Sequence, residues 1–403
     1  MNEVTTIGIL GAGTMGAGIA QVAVEAGLEV LLHDPIAGAT DRGRDRIGGF
    51  LARKVEKDQL TEAERAAAAD RLSTVGTLEQ LAAAELVIEA IPEDLALKRD
   101  AFRRLDGAAE PDTILATNTS SLAVAQIASA TAHPDRVIGM HFFNPVPLMA
   151  LVEVIPGPMT DQAVVDSVAF LARLLGKTPV VAADTPGFIV NRVQRAYYLE
   201  GYRILEEGLA DAATIDDTMR EIGFRLGPFE LADAVGTDVN LAAGTAIFEG
   251  FYGDPRYRPS LVQRRVVDAG RLGRKTGAGY YDYAADGTRG LPWSGITAHA
   301  VDAPRMTPHS AAQIEARILA AIVNEAASAV ADGVASPGAI DTAMRLATNW
   351  PDGPLAWGER IGLGSIVRSL DAFHASVPDG RYRVTPLLRS LADGGESFFA
   401  PRS

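Results

Sequence analysis

The sequence predicts an α/β Rossmann-type doubly wound sheet followed by an all-α C-terminal region in which the helical domain is duplicated. Three observations carry this. A glycine-rich turn stands between a strand and a helix at the start of the chain. Strand and helix signals then alternate to about residue 183, as in a parallel sheet wound with helices. Beyond that point the chain is nearly all helical, and short motifs recur 125 positions apart.

Thr5 to Leu10 is a short β-rich run, followed directly by Gly11-Ala12-Gly13-Thr14-Met15-Gly16 and then by a helical pattern from Ile19 to Ala26, closed by Gly27. G-x-G-x-x-G between a strand and a helix is a dinucleotide-binding signal. Gly11 permits the tight turn, Gly13 lets the backbone approach a pyrophosphate, and Gly16 lets helix and strand pack closely. The helix N-terminus then points its free N–H groups at the phosphates. The strand Glu29 to His33 ends at Asp34. An acid there binds the adenosine ribose hydroxyls and repels a 2′-phosphate, so NAD is favoured over NADP. His33 has no such support and reads as a strand residue.

Glu85 to Ile91 reads as a buried strand ending in Pro92-Glu93-Asp94, and Ala96 to Leu105 as the helix after it. Strands follow at Thr113 to Thr117, Arg136 to Phe142 and Leu151 to Ile155. A helix around Val164 to Leu175 and a strand near Pro179 to Ala182 complete the set. Ligands of such sheets bind outside the carboxyl ends of the strands, where Glu93, Ser120 and His141 fall. His141 lies in Gly139-Met140-His141-Phe142-Phe143-Asn144-Pro145, and Glu153 comes twelve residues later between Val152 and Val154. A histidine acting as a base needs a partner on its second ring nitrogen. A carboxylate among Val and Leu is expensive to bury and needs a reason. A pair on adjacent strand ends supplies both.

The character changes at Asp184 to Arg192. The expected division is residues 1–183 for the dinucleotide-binding domain and 184–283 for a first helical domain. A linker follows at 284–307, rich in Gly, Pro, Asp and Ser, and then a second, degenerate helical copy at 308–403. Glu207-Gly208-Leu209 recurs as Asp332-Gly333-Val334, and Ile215-Asp216 as Ile340-Asp341. After a one-residue slip, Gly227-Pro228 recurs as Gly353-Pro354 and Gly236 as Gly362. Arg192 has a counterpart in Arg317, but Asn191 is replaced by Ala316, so the second copy reads as structural.

The absence of cysteine among 403 residues excludes disulfides, thiolate zinc sites and a cysteine nucleophile. A net charge of −14 argues against a nucleic-acid partner. No basic-then-apolar leader is read and no apolar run reaches membrane-spanning length, so a cytoplasmic protein with no membrane partner is expected. None of the six histidines shows metal-ligand spacing, and no metal is expected.

The glycine-rich opening, Asn118-Thr119-Ser120-Ser121-Leu122, His141-Phe142-Phe143-Asn144-Pro145, Leu151-Val152-Glu153-Val154-Ile155 and Asp184 to Arg192 together resemble the L-3-hydroxyacyl-CoA dehydrogenase family. So do Gly227-Pro228-Phe229-Glu230-Leu231 and Gly273-Arg274-Lys275-Thr276-Gly277. The duplicated form is similar to bacterial members of phenylacetate breakdown that act on 3-hydroxyadipyl-CoA. The resemblance implies oxidation of a (3S)-3-hydroxyacyl-CoA, 3-hydroxyadipyl-CoA or short-chain 3-hydroxybutyryl-CoA, with NAD as acceptor. It makes His141 the general base, Glu153 its orienting partner, Ser120 a hydrogen-bonding group for the substrate oxygen and Asn191 a substrate-positioning residue. It also implies cofactor contacts from Ala12, Thr14 and Met15 in the loop, from Glu93 and Lys98, and from Lys275, which would reach back from the helical domain. Arg53, Lys54 and Lys57, at helical spacing, are the candidate patch for the phosphates of CoA. Single-copy relatives dimerise through the helical domain, so either a homodimer or a monomer whose repeat replaces the partner is expected. Two other readings stand beside this one. A same-fold dehydrogenase of a free hydroxy or sugar acid would work without CoA. A non-catalytic crystallin-like relative would not need to keep all four of His141, Glu153, Ser120 and Asn191.

Overall fold

The computed structural model describes residues 4–296 and 308–400 of the chain. It contains two compact units, residues 1–188 and 189–403.

The first unit holds β1 (Thr6–Leu10), α1 (Thr14–Glu25), β2 (Glu29–His33), α2 (Ala39–Glu56), α3 (Glu62–Asp70) and β3 (Leu72–Thr74). These are followed by β4 (Leu86–Glu89), α4 (Leu95–Ala108), β5 (Ile114–Thr117), α5 (Val124–Ala128), β6 (Val137–Phe142), β7 (Leu151–Pro156), α6 (Gln162–Leu174) and β8 (Thr178–Val181). The strands form one eight-stranded sheet in the order β3-β2-β1-β4-β5-β6-β7-β8. Neighbours are parallel except β6 and β7. β4, β5 and β6 are buried along their whole length, which is why they read as apolar runs rather than alternating ones. The core under the sheet is built from Ile7, Ile9, Val30, Leu32, Ile88 and Ile138 with Ile19 and Val168. Strand order reverses between β1 and β4, so the loops after β1, β4, β5 and β6 leave along one carboxyl edge beside that reversal.

Residues 39–74 hold three elements that the sequence pattern does not announce. α3 is alanine-rich and is started by a capping box: Glu64 N donates to Thr61 Oγ1 (3.2 Å) and Thr61 N to the Glu64 carboxylate (2.8 Å). β3 is a three-residue edge strand with only Leu72 buried.

The second unit is helical: α7 (Val190–Glu206), α8 (Ala212–Glu221), α9 (Pro228–Val235), α10 (Thr237–Gly250) and α11 (Leu261–Asp268). A hairpin of β9 (Tyr281–Tyr283) and β10 (Arg289–Pro292) comes next. The unit ends with α12 (Ala311–Ala331), α13 (Pro337–Thr348), α14 (Pro354–Ile361), α15 (Leu363–Ser376) and α16 (Pro386–Gly394). Part of the stretch expected as linker is therefore a paired strand, anchored where Arg289 meets Glu230 at 3.0 Å and Tyr281 Oη donates to Asp216 at 2.8 Å. Residues 297–307 of that stretch lie outside the described residues. Among the described residues no helix is long and apolar enough to cross a membrane.

The repeated motifs have matching structural jobs. Both oxygens of Asp216 accept from the first amides of α9, Phe229 N and Glu230 N, each at 3.0 Å. Asp341 does the same for α14, accepting from Leu355 N at 2.8 Å and Ala356 N at 2.9 Å. Each aspartate sits so close to the residue before the helix that only glycine fits there: a Cβ on Gly227 or Gly353 would lie 2.4 Å from its Cβ.

The two copies also exchange ion pairs reciprocally. Arg192, early in α7, reaches Glu325 (2.7 Å) late in α12 and Asp332 (2.5 Å) just after it. Arg317, early in α12, reaches Glu200 (2.6 Å) late in α7 and Glu207 (2.7 Å) just after it. Tyr257 Oη donates to Glu325 and Tyr382 Oη to Glu200, both at 2.6 Å. Every member has its counterpart 125 positions away, so this contact has the self-complementary form of a two-fold interface, drawn within one chain. Removing either arginine takes the nearest cation from a buried glutamate, leaving Arg203 at 3.1 Å from Glu200 or Arg256 at 3.5 Å from Glu325. Arg192→Met and Arg317→Met are each expected to cost about 3 kcal/mol, with Arg317→Met the milder of the two because Arg203 stays closer to Glu200 than Arg256 does to Glu325. Urea unfolding followed by the fluorescence of Trp293, Trp350 and Trp357, all in the second unit, measures this.

Candidate active site

The glycine loop is shaped by close approach at two positions and by openness at a third. Gly11 has φ +105°, and a Cβ there would lie 2.6 Å from the carbonyl oxygen of Ala90. A Cβ on Gly16 would lie 1.8 Å from the carbonyl oxygen of Gly11. Around Gly13 nothing comes within 4 Å of such an atom. Gly13 is also the N-cap of α1, and no side chain caps that helix. Amides bare of side-chain acceptors, beside open space at a helix start, fit the pyrophosphate of a dinucleotide. Ala12, Thr14 and Met15 fill out the loop. Asp34 follows β2 and accepts from Ala12 N (2.8 Å) and Ile36 N (2.9 Å). The acid expected at the ribose thus also fixes the loop to the neighbouring strand.

Next along the same edge, Glu93 gathers the loop after β5. Its Oε1 accepts from Thr119 Oγ1 (2.7 Å), Ser120 N (2.8 Å), Ser121 N (3.0 Å) and Ser121 Oγ (3.0 Å), and lies 3.3 Å from Ser120 Oγ. Burial raises the Glu93 pKa, but the Lys98 charge and these donors outweigh it and bring it down to about 2. Lys98 is not a solvated surface lysine. It is buried, with Nζ 2.6 Å from Glu89 and 3.3 Å from Glu93. Glu89, at the end of β4, is a further member of this cluster. It is fully buried and also accepts from Thr117 Oγ1 (2.7 Å) and Ile91 N (2.8 Å). The signal that singles out Glu153, an acid inside an apolar strand, applies equally to Glu89.

His141 and Glu153 are direct register partners on β6 and β7. His141 Nδ1 lies 2.7 Å from Glu153 Oε2; both residues are buried. A carboxylate at Nδ1 fixes that nitrogen as the donor and leaves Nε2 as the base. The rings of Phe143 and Phe188 lie 4.5 and 5.9 Å from the imidazole and hold its orientation. Asn118 ties this strand end to β4: it accepts from Phe142 N at 2.8 Å and donates its own N–H to the Glu89 carbonyl at 2.8 Å.

The remaining candidates are placed as follows. Asn191 lies in the first turn of α7, in the second unit. Lys275, also in the second unit, holds both oxygens of Asp238 at 2.7 Å. Lys54 is paired with Glu25 at 2.6 Å, whereas Arg53 and Lys57 are exposed near the end of α2. Among the described residues, the candidate CoA patch is therefore two cations without an ion pair and one that is already neutralised.

Residues 6–185 match the 3-hydroxyacyl-CoA dehydrogenase NAD-binding domain, and residues 187–283 and 314–397 match the family's C-terminal domain. The chain is 38% identical to the 3-hydroxyadipyl-CoA dehydrogenase of Escherichia coli, over 97% of this chain and 98% of that protein. It is 44% identical to a probable 3-hydroxybutyryl-CoA dehydrogenase of Bacillus subtilis, over 70% of this chain and 98% of that protein. The crystal structure of a protein titled 3-hydroxybutyryl-CoA dehydrogenase from E. coli superposes with a TM-score of 0.89 at 37% identity, covering 98% of this chain and all of that one.

Two outcomes follow from the crevice. Asp34→Ser removes an ionised acceptor, and the Kd for NADH is expected to rise roughly 10-fold or more, with a smaller preference over NADPH; fluorescence titration with both cofactors measures this. For Glu93, the folded pKa lies below the ordinary value of 4.5. Its stabilising contribution is therefore complete above about pH 4.5 and is lost as pH falls toward 2. The difference in melting temperature between the wild type and Glu93→Gln should be largest at pH 7 and should shrink from pH 4.5 downward.

Proposed function

The chain belongs to the 3-hydroxyacyl-CoA dehydrogenase family, and from that premise we propose how its own residues carry the NAD-dependent interconversion of a (3S)-3-hydroxyacyl-CoA and a 3-oxoacyl-CoA. The observation that carries the reading is the 2.7 Å bond between His141 Nδ1 and Glu153 on paired strands. His141 Nε2 takes the proton of the 3-hydroxyl as the C3–H bond breaks. The acceptor for the hydride leaving that carbon would be supplied by NAD when it is bound. Glu153 keeps the imidazole in the right tautomer and balances the charge it gains. Ser120 hydrogen-bonds the substrate oxygen, and Asn191 keeps the substrate in register with the base. Gly11 to Gly16 and Asp34 would hold the dinucleotide, with Glu93 and Lys98 as further cofactor contacts. Arg53 and Lys57 meet the phosphates of CoA.

The acyl chain is short. The names of the relatives support 3-hydroxyadipyl-CoA, from the match over nearly the full length, and 3-hydroxybutyryl-CoA, from the shorter relatives and the solved structure. Residues 308–403 act as a second helical copy that stands where a partner subunit would, and the reciprocal arginine pairs of α7 and α12 support this. A single chain then needs no partner through that face. Sedimentation showing a dimer joined through α7 would refute this.

The reaction is tested by NADH oxidation with 3-oxoacyl-CoA esters of rising length, 3-oxoadipyl-CoA included. The wild type is expected to turn over the short esters, and His141→Ala to lose about 10²- to 10⁴-fold in kcat while still binding NADH. No turnover with any ester by a protein that binds NADH would overturn the proposal.

A further inference from the structure

Five arginines are buried among the described residues: Arg136, Arg192, Arg195, Arg203 and Arg317. Four of them reach a carboxylate: Arg136 meets Asp106 at 2.7 Å, Arg192 meets Glu325 at 2.7 Å, Arg203 meets Glu200 at 3.1 Å and Arg317 meets Glu200 at 2.6 Å. Arg195 has no carboxylate partner among the described residues. Its Nη1 donates to the Asn240 carbonyl at 3.1 Å, with Asn240 Oδ1 at 3.4 Å, and its guanidinium lies 4.6 Å from the centre of the Tyr198 ring. Its Nε is buried with no partner, and so is Asn240 Nδ2. The amide oxygen nearby, Asn240 Oδ1, already takes Gln263 Nε2 at 2.6 Å and lies 3.4 Å from Tyr202 Oη. Burial disfavours the Arg195 cation, and only tyrosines oppose it. The cluster therefore has donors and positive charge in excess and lacks an anionic acceptor.

The second copy shows that the fold does not require this cluster. At the matching positions of α12 and α15, Ala316 stands for Asn191, Ala320 for Arg195, Ile366 for Asn240 and Leu370 for Gly244. The unpaired cation is present only in the copy that carries Asn191. Gly244 matters as well: a Cβ there would lie 3.3 Å from Arg195 Nη1, so glycine leaves the ground beside the guanidinium open. Arg195 follows Asn191 by one helical turn on the same side of α7, about 6 Å along the axis, which is within the span of a short acyl tail.

We propose that Arg195 receives a carboxylate at the far end of the acyl chain, so that the enzyme selects ω-carboxyl 3-hydroxyacyl-CoA esters over methyl-ended esters of equal length. This rests on the reading of Asn191 as a substrate-positioning residue. A guanidinium binds a carboxylate through two parallel N–H donors. A methyl end would leave the cation buried and unpaired, and a site built this way discriminates strongly.

The test compares kcat/KM for 3-oxoadipyl-CoA and 3-oxohexanoyl-CoA in the wild type, Arg195→Ala and Gly244→Leu. Both substitutions introduce the residue that the second copy carries at the matching position, and melting temperature and NADH binding check that each variant folds. The wild type should prefer the carboxylate ester. In both variants the ratio should fall roughly 10- to 100-fold, with the loss falling mainly on the KM for 3-oxoadipyl-CoA. A wild type without preference, or variants that lose equally with both esters, would overturn the proposal. If one variant does not fold, the ratio in the other decides. Failure of the wild type on both esters, with NADH still bound, would instead overturn the dehydrogenase mechanism on which this rests.

Discussion

The hydrogen bond between His141 and Glu153 is the interaction on which the rest of the site depends. It exists because β6 and β7 pair antiparallel in a register that sets the two residues opposite each other. A one-residue slip of β7 would turn Glu153 to the other face of the sheet and leave both groups buried without partners. The register is held at the strand end by Asn118, which bonds the amide of Phe142, and along β7 by parallel pairing with β8. An apolar strand thus carries a charged side chain at one position, where the neighbouring strand supplies a partner.

The same logic extends across the carboxyl edge of the sheet. Glu89, Glu93 and Lys98 form one buried network, and the loop from Thr117 to Ser121 hangs from it through hydroxyl and amide donors. Burying such charges is costly unless every one is satisfied. Here the satisfying groups are the residues that border the dinucleotide loop. The network links β4 and β5, next to the point where strand order reverses, so the crevice has a rigid wall where its ligand is expected.

Much of this was legible in the sequence, and for physical reasons. The glycine loop is legible because steric approach leaves no alternative at Gly11 and Gly16. His141 and Glu153 stand out as polar residues in apolar runs. The repeat shows because Asp216 and Asp341 cap helices in the same way and force glycine at Gly227 and Gly353. Residues 39–74 were not legible, since an alanine-rich helix and a three-residue edge strand carry little periodicity. The burial of Lys98 was hidden because its partner Glu89 is nine residues away on another element. The pairing of Lys275 with Asp238 was hidden in the same way, by a separation of 37 residues. Arg195 carries no signal in the sequence because arginine on a helix ordinarily faces water; its burial without a carboxylate partner among the described residues distinguishes it.

The duplicated helical region offers an internal comparison, since one scaffold is built once with Asn191, Arg195 and Asn240 and once with apolar residues in their places. The chemistry, however, is assigned to the first unit, and the most direct test lies there. It is the stopped-flow rate of NADH oxidation by Glu153→Gln at saturating 3-oxoacyl-CoA, with NADH affinity measured alongside. The His141–Glu153 account predicts a rate lowered about 10²- to 10⁴-fold with cofactor affinity unchanged. A variant that transfers hydride at the wild-type rate would contradict it.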